Sequence, residues 1–303
     1  TMAVVIPITG WLMERLPTRT VFTLAMSLFS LGTAVAALGW AFPSLLAGRI
    51  IQASGTAIMM PLLMTTIMQL VTPEHRGRVM GNVSMVISVA PAVGPTMSGV
   101  ILQVASWRGI FWVVLPIALT MLALGYRRLT DVGETRDTPL DLVSVPLTLL
   151  GFGPLIYGLS LVGSDAVEFW VPLLAIGIGV AGLAAFVARQ TVLQRRDAAL
   201  LDLRTFTHTT FTVAVVMMAI AMMALFGTII MLPLLLQRAF GLEPLQVGLM
   251  LLPGGVAMGL LSPVVGRLYD RVGPRALVVP ASIVAVSYTH LRAHETDSYL
   301  VCR

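Results

Sequence analysis

The chain has 303 residues, of which 57% are hydrophobic and 11% charged, and its mean hydropathy is +0.92. That exceeds what a soluble domain carries and points to a protein with several membrane spans. Its formal charge of +5 comes entirely from arginine, since the sequence holds no lysine. The arginines fall singly or in pairs between apolar runs, which excludes the clustered basic face of a nucleic-acid binder. A phosphate-cradling G-x-x-x-x-G-K-[ST] loop is impossible without lysine, so no ATP-driven step is expected. One cysteine, Cys302, permits no internal disulfide, the four histidines have no metal-ligand spacing, and no cofactor is expected.

Apolar runs lie near 1–13, 20–41, 44–70, 79–104, 108–126, 141–163, 168–188, 209–236, 244–266 and 276–286. A span needs about 20 apolar residues, so the first and last runs are too short, leaving about eight complete spans between two truncated ones. Alternate loops divide the arginines unevenly. Arg15, Arg19, Arg76, Arg78, Arg127, Arg128, Arg136, Arg189, Arg195, Arg196, Arg204, Arg267, Arg271 and Arg275 fall on one side, Arg108 and Arg238 on the other. The positive-inside rule makes the first side cytoplasmic.

The first run ends in "GWLMERLPTR" (10–19) and the ninth in "GRLYDRVGPR" (266–275). Both read P-x-x-G-x-L-x-[acid]-R-x-x-x-R, through Pro7, Gly10, Leu12, Glu14, Arg15 and Arg19, then Pro263, Gly266, Leu268, Asp270, Arg271 and Arg275. Such an internal repeat is the mark of a fold built from related halves. Gly10 and Gly266 allow close helix approach. The pairs Glu14–Arg15 and Asp270–Arg271 can bridge helices or cap a helix end in one conformation and release it in another, forming a conformational latch. The plainer alternative is ordinary loop charge.

In the run at 44–70, Arg49 lies inside an apolar stretch, where a charge costs at least a few kcal/mol and usually lines a cavity. Snorkelling to the outer interface is the alternative. Gln52, one turn on, can hydrogen-bond it. In residues 79–104, Pro91 and Pro95 free the carbonyls of Ile87 and Pro91 and kink the helix, while Gly81, Gly94, Ser98 and Gly99 remove bulk for tight packing. Run 209–236 carries Met217, Met218, Met222 and Met223, whose thioethers suit a promiscuous cavity but more commonly face lipid or core. No complete span has an Asp or Glu at its middle, and no His, Cys, Asp or Glu cluster suggests catalysis.

Taken together, these stretches resemble the major facilitator superfamily, and within it the fourteen-helix drug:proton antiporters. The two charged turns are similar to its signature between helices 2 and 3 and to the echo in the second half, with Glu14 for the usual Asp and Pro17 for the usual Gly. "RIIQASGTA" (49–57) resembles R-x-x-Q-G-x-G, keeping Arg49, Gln52 and Gly55 with Ala53 for Gly. "GNVSMVISVAPAVGPTMSG" (81–99) is similar to the antiporter signature, keeping Gly81, Gly94, Pro95 and Gly99 with Ala90 and Ser98 for Gly. "SWRGIF" (106–111) and "LLPGG" (251–255) also look like the family.

The resemblance implies an all-α membrane bundle of two halves with two extra linking helices. Residues 1–128 would be the rest of the first half, 129–208 the linking helices, and 209–286 the start of the second half. The last stretch, 287–303, reads as a non-native tail similar to translated sequencing adapters. The implied function is proton-coupled export of drugs or other hydrophobic compounds by alternating access, with Arg49 in proton coupling. The acid that similar transporters carry on helix 1 would precede this sequence. An exporter of a lipid or specific metabolite on the same fold, or a membrane sensor or enzyme, are the alternatives. Expected partners are membrane lipids, protons and a small hydrophobic or cationic substrate, with a periplasmic adaptor protein as a further candidate. The expected location is the bacterial inner membrane.

Overall fold

The computed structural model describes residues 1–132, 141, 143–163, 167–195, 200–273, 275–281 and 283. Residues 287–303, expected to be a non-native tail, lie outside the described set. Among the described residues the ordered elements are all helical: α1 (Met2–Arg15), α2 (Thr18–Leu38), α3 (Phe42–Leu70), α4 (Arg76–Val104), α5 (Arg108–Arg128), α6 (Ser144–Leu161), α7 (Trp170–Gln194), α8 (Thr209–Phe240) and α9 (Pro244–Val272). Two short 3-10 turns, Pro73–His75 and Leu203–Thr207, precede α4 and α8. A hydrocarbon solvent offers no hydrogen bonds, so an apolar run must satisfy its own backbone, and helices do so within one segment. Among the described residues, α2 to α9 supply 8 candidate membrane spans.

The helix ends follow local chemistry. At α9 Glu243 and Gln246 form a capping box, the Gln246 side chain accepting the Glu243 backbone N–H at 3.0 Å. Gly273, at φ 79°, terminates the same helix in a conformation other residues rarely adopt. The α7 helix outlasts its apolar run, continuing from 188 to Gln194, because Arg189 finds a carboxylate in Asp141 and need not end the helix.

The described helices form two compact units. One contains α1, α2, α3, α5, α6, α7 and the first part of α8. Its core is Val21, Ala25, Ile58 and Leu62, packed by Val5, Leu12, Leu16 and Phe22. Here α2 and α3 approach at Gly48, where a side chain would reach the Ala36 nitrogen at 2.8 Å. Helices α6 and α7 pack as a hairpin through Gly151, Gly158, Gly179 and Gly182, and α6 also touches α1. The other unit contains α4 up to Val100, the end of α8, and α9.

Candidate functional site

In the second unit α4 and α9 run antiparallel and touch along their length. Gly77 and Gly81 meet Gly266, Val89 meets Gly259, Thr96 meets Gly248, and Gly99 meets Leu245. A Cβ on Gly266 would sit 2.9 Å from the Gly81 Cα, and one on Gly99 would sit 2.8 Å from the Leu245 Cα, so larger residues would separate the helices. At one end of the seam Asp270 accepts the backbone N–H groups of Gly77 and Arg78, each at 2.8 Å. These are orphan donors in the first turn of α4, at the positive end of its dipole, where a carboxylate is best placed.

The antiporter-like positions divide. Gly81 and Gly99 lie in the seam, and Ser98 returns its hydroxyl to the Gly94 carbonyl at 2.7 Å. Among the described residues nothing lies within 4 Å of where a methyl group on Gly94 would stand. Pro91 and Pro95 both lie within α4, which remains helical from Arg76 to Val104. Gly77, Gly248 and Gly259 join the seam without belonging to any of the motifs above. The small-x-x-x-small spacings Gly77–Gly81 and Gly255–Gly259 point to Gly77 and Gly259, while no such spacing marks Gly248.

The two charged turns are also unlike each other. Gly10 is not tightly packed, and a methyl there would meet only the Leu200 carbonyl at an ordinary 3.8 Å. The Arg15 guanidinium lies 5.6 Å from the Trp11 ring centroid. At the start of α2 the carboxylate of Asp131 accepts the Arg19 backbone N–H at 3.0 Å. The Arg19 side chain stacks 4.5 Å over Tyr126, and the Thr18 hydroxyl donates to the Val132 carbonyl at 2.9 Å. Asp131 follows α5, far along the chain from the turn it serves, which is why the repeat alone does not indicate it. Arg271 lies in the last turn of α9, and Arg271 and Arg275 are exposed.

Arg49 donates to the Gln52 side-chain carbonyl at 2.8 Å. Gln52 donates to the Thr33 hydroxyl of α2 at 2.9 Å, and Thr33 donates to the Phe29 carbonyl at 2.7 Å. Gln52 and Thr33 are buried while Arg49 is exposed, so one relay leads from an accessible guanidinium into the packed α2–α3 contact. Gly48 and Gly32 provide the close approach that lets Gln52 reach across. Met217, Met218, Met222 and Met223 are all exposed on α8. No metal-holding group of His, Cys, Asp or Glu occurs among the described residues.

A polar node that no sequence motif marks sits at the base of the α6–α7 hairpin. Arg189 grips Asp141 through two hydrogen bonds of 2.7 Å. The guanidinium, aided by the Ser144 hydroxyl and opposed by burial, holds the Asp141 carboxyl down to about 2. Fully buried Gln190 donates to Ser144 at 2.7 Å and accepts the Leu200 N–H at 2.8 Å.

Apolar spans, a glycine seam capped by a carboxylate, and an arginine on a polar relay define a multi-pass helical membrane protein. Residues 1–289 match the Major Facilitator Superfamily, and the chain belongs to that family of multi-pass plasma-membrane transporters, not enzymes. It is similar to the uncharacterized MFS-type transporter YcnB of Bacillus subtilis, 39% identical over 305 residues that cover 99% of this chain and 64% of that protein. It is 41% identical over 287 residues to the lincomycin resistance protein LmrB of Listeria innocua, covering 94% of this chain and 60% of that one. It is 29% identical over 284 residues to the multidrug resistance protein B homolog of Mycobacterium tuberculosis, covering 92% of this chain and 51% of that protein. The chain thus spans less than two thirds of the length of each relative.

Proposed function

We propose that this protein exports drugs or other hydrophobic compounds in exchange for protons, by alternating access between two helical halves linked by α6 and α7. The observation that carries the reading is the α4–α9 seam with Asp270 at its end. Two helices that meet at glycines and are joined by a polar clasp can part and re-form without repacking a core, which a two-state carrier requires. The substrate class rests on the relatives named for lincomycin and multidrug resistance.

In this reading Arg49 acts on protons as a fixed charge. Gln52 and Thr33 hold it in one place, so that its charge stands at a fixed position on the proton path. The Asp270 clasp closes the cytoplasmic end of the seam and opens when the substrate side is exposed. The test is efflux of a fluorescent dye from bacteria lacking their own pumps and expressing the native protein. Energised efflux that collapses on adding an uncoupler is expected. Efflux indifferent to the proton gradient, or none of any hydrophobic dye by a well-inserted protein, overturns the reading.

A further inference from the structure

The α6–α7 hairpin carries a feature that export does not explain. At the arginine-rich end of α7 a cavity of about 440 Å³ opens between Thr191, Gln194, Arg195 and Arg204. Its two arginines come from different elements, Arg195 from the end of α7 and Arg204 from the 3-10 turn Leu203–Thr207. The turn is tied back to the helix. Gln190 accepts the Leu200 and Leu201 N–H groups at 2.8 and 3.3 Å, Gln194 donates to the Leu201 carbonyl at 3.3 Å, and the Arg204 guanidinium donates to the Gln194 carbonyl. Asp202 lies 3.5 Å from Arg204 and orients it from outside the cavity lining. Asp197, near in sequence, lies outside the described residues.

The depth of this cavity suggests its occupant. From Trp170 to Arg195 an α-helix rises about 37 Å, which exceeds a hydrocarbon core of roughly 30 Å and places Arg195 at the headgroup level. Directly below it, Val187, Val180 and Leu173 recur at the spacing of one helix face, and all three are exposed. A pre-formed guanidinium pair recognises a phosphate by paired hydrogen bonds, and an apolar stripe beneath it accommodates a hydrocarbon chain.

We propose that this cavity binds the phosphate of an anionic phospholipid of the inner leaflet, with Arg195 and Arg204 clamping the headgroup and the α7 stripe bedding one acyl chain. The leaflet follows from the arginine distribution and so rests on the cytoplasmic orientation of these loops, while the site itself does not depend on export. Its chemistry is that of a phosphate ester, which free phosphate shares in part.

The test is native mass spectrometry of the delipidated native protein titrated with dioleoyl phosphatidylglycerol, and in parallel with the phosphatidylcholine of the same chains. One tightly retained phosphatidylglycerol is expected, with its occupancy reduced about five-fold in Arg195→Gln, the effect of one headgroup-level arginine. Arg128→Gln, on the same side of the membrane but away from the cavity, should retain it like the parent. Equal retention by parent and Arg195→Gln, equal loss in Arg128→Gln, or equal retention of phosphatidylcholine would each overturn the proposal. Millimolar inorganic phosphate should not displace the lipid; displacement would overturn it in favour of a site for a free anion. Because retention is read on resting protein, its failure leaves the export reading standing, and failed efflux leaves this one standing.

Discussion

Asp270 and Gly77 are 193 residues apart, yet a carboxylate oxygen of the first receives the backbone N–H of the second at 2.8 Å. No side chain intervenes, because Gly77 has none to offer. The contact joins the end of α9 to the start of α4.

Removing that acid should unbalance the cycle. Loss of a helix cap costs about 1 kcal/mol, or roughly a five-fold change in the ratio of closed to open seam. Asp270→Ala should therefore slow efflux several-fold and raise labelling of a cysteine placed on the seam. Asp270→Asn keeps an acceptor for the same N–H groups and should fall between Ala and the parent. Identical efflux and labelling in all three would remove the clasp from the cycle.

The glycines of α4 make a sharper contrast. Gly81→Val would drive a side chain against the Ser262 carbonyl and the Gly266 Cα, positions a Cβ would already meet at 2.8 and 3.1 Å. It should abolish efflux or insertion. Gly94→Ala meets open space and should pump normally, although both glycines belong to the same signature-like stretch. Membrane abundance measured beside dye efflux checks both, and an inactive but abundant Gly94→Ala protein would count against the observed packing.

For Arg49, substitution by Ala should eliminate uncoupler-sensitive efflux while insertion persists, since the charge that Gln52 holds in place is lost. Arg49→Lys keeps charge but not the planar fork that reaches Gln52, so it should be partly active at best. Normal pumping by well-expressed Arg49→Ala would show that the arginine only snorkels.

The Asp141–Arg189 pair predicts an acid-dependent stability. Asp141 is shifted from 3.8 to about 2, so its folded form favours the charged state. The stabilisation is complete above the ordinary carboxyl value and fades as pH falls from about 4 toward about 2. The gap in melting temperature between the parent and Asp141→Asn in detergent should be constant near neutrality and close over that acidic range. A gap that stays unchanged down to the lowest pH would show the pair contributes nothing through its charge.

Much of the architecture is legible in the sequence because its signals are local. Apolar runs of sufficient length define the helices, and the run at 168–188 falls short of α7 only because Arg189 reads as a terminator until Asp141 is known to meet it. The Gly266–Asp270 turn is legible for the same reason, its glycine and acid lying on one helix. Asp131 is not, since its partner Arg19 is reached through the packing of α5 on α2. Gly94 reads as a packing residue, yet among the described residues no neighbour stands within 4 Å of it, and a stretch of sequence shows which residues are small but not which side of a helix its neighbour occupies. The buried Gln190 gives no sign at all, because a glutamine in an apolar helix looks like a tolerated exception until the amides of Leu200 and Leu201 are seen to need it.

Where Gly77 and Gly81 meet Gly266 the seam is main chain against main chain, and such a surface has few rotamers to freeze when it closes. The α4–α9 seam can therefore come together with little entropic penalty beyond the alignment of the two helices, and its fit is set by the path of two backbones. Cooling or warming the membrane should then alter how often the helices meet through lipid viscosity more than through any change in the order of the seam itself.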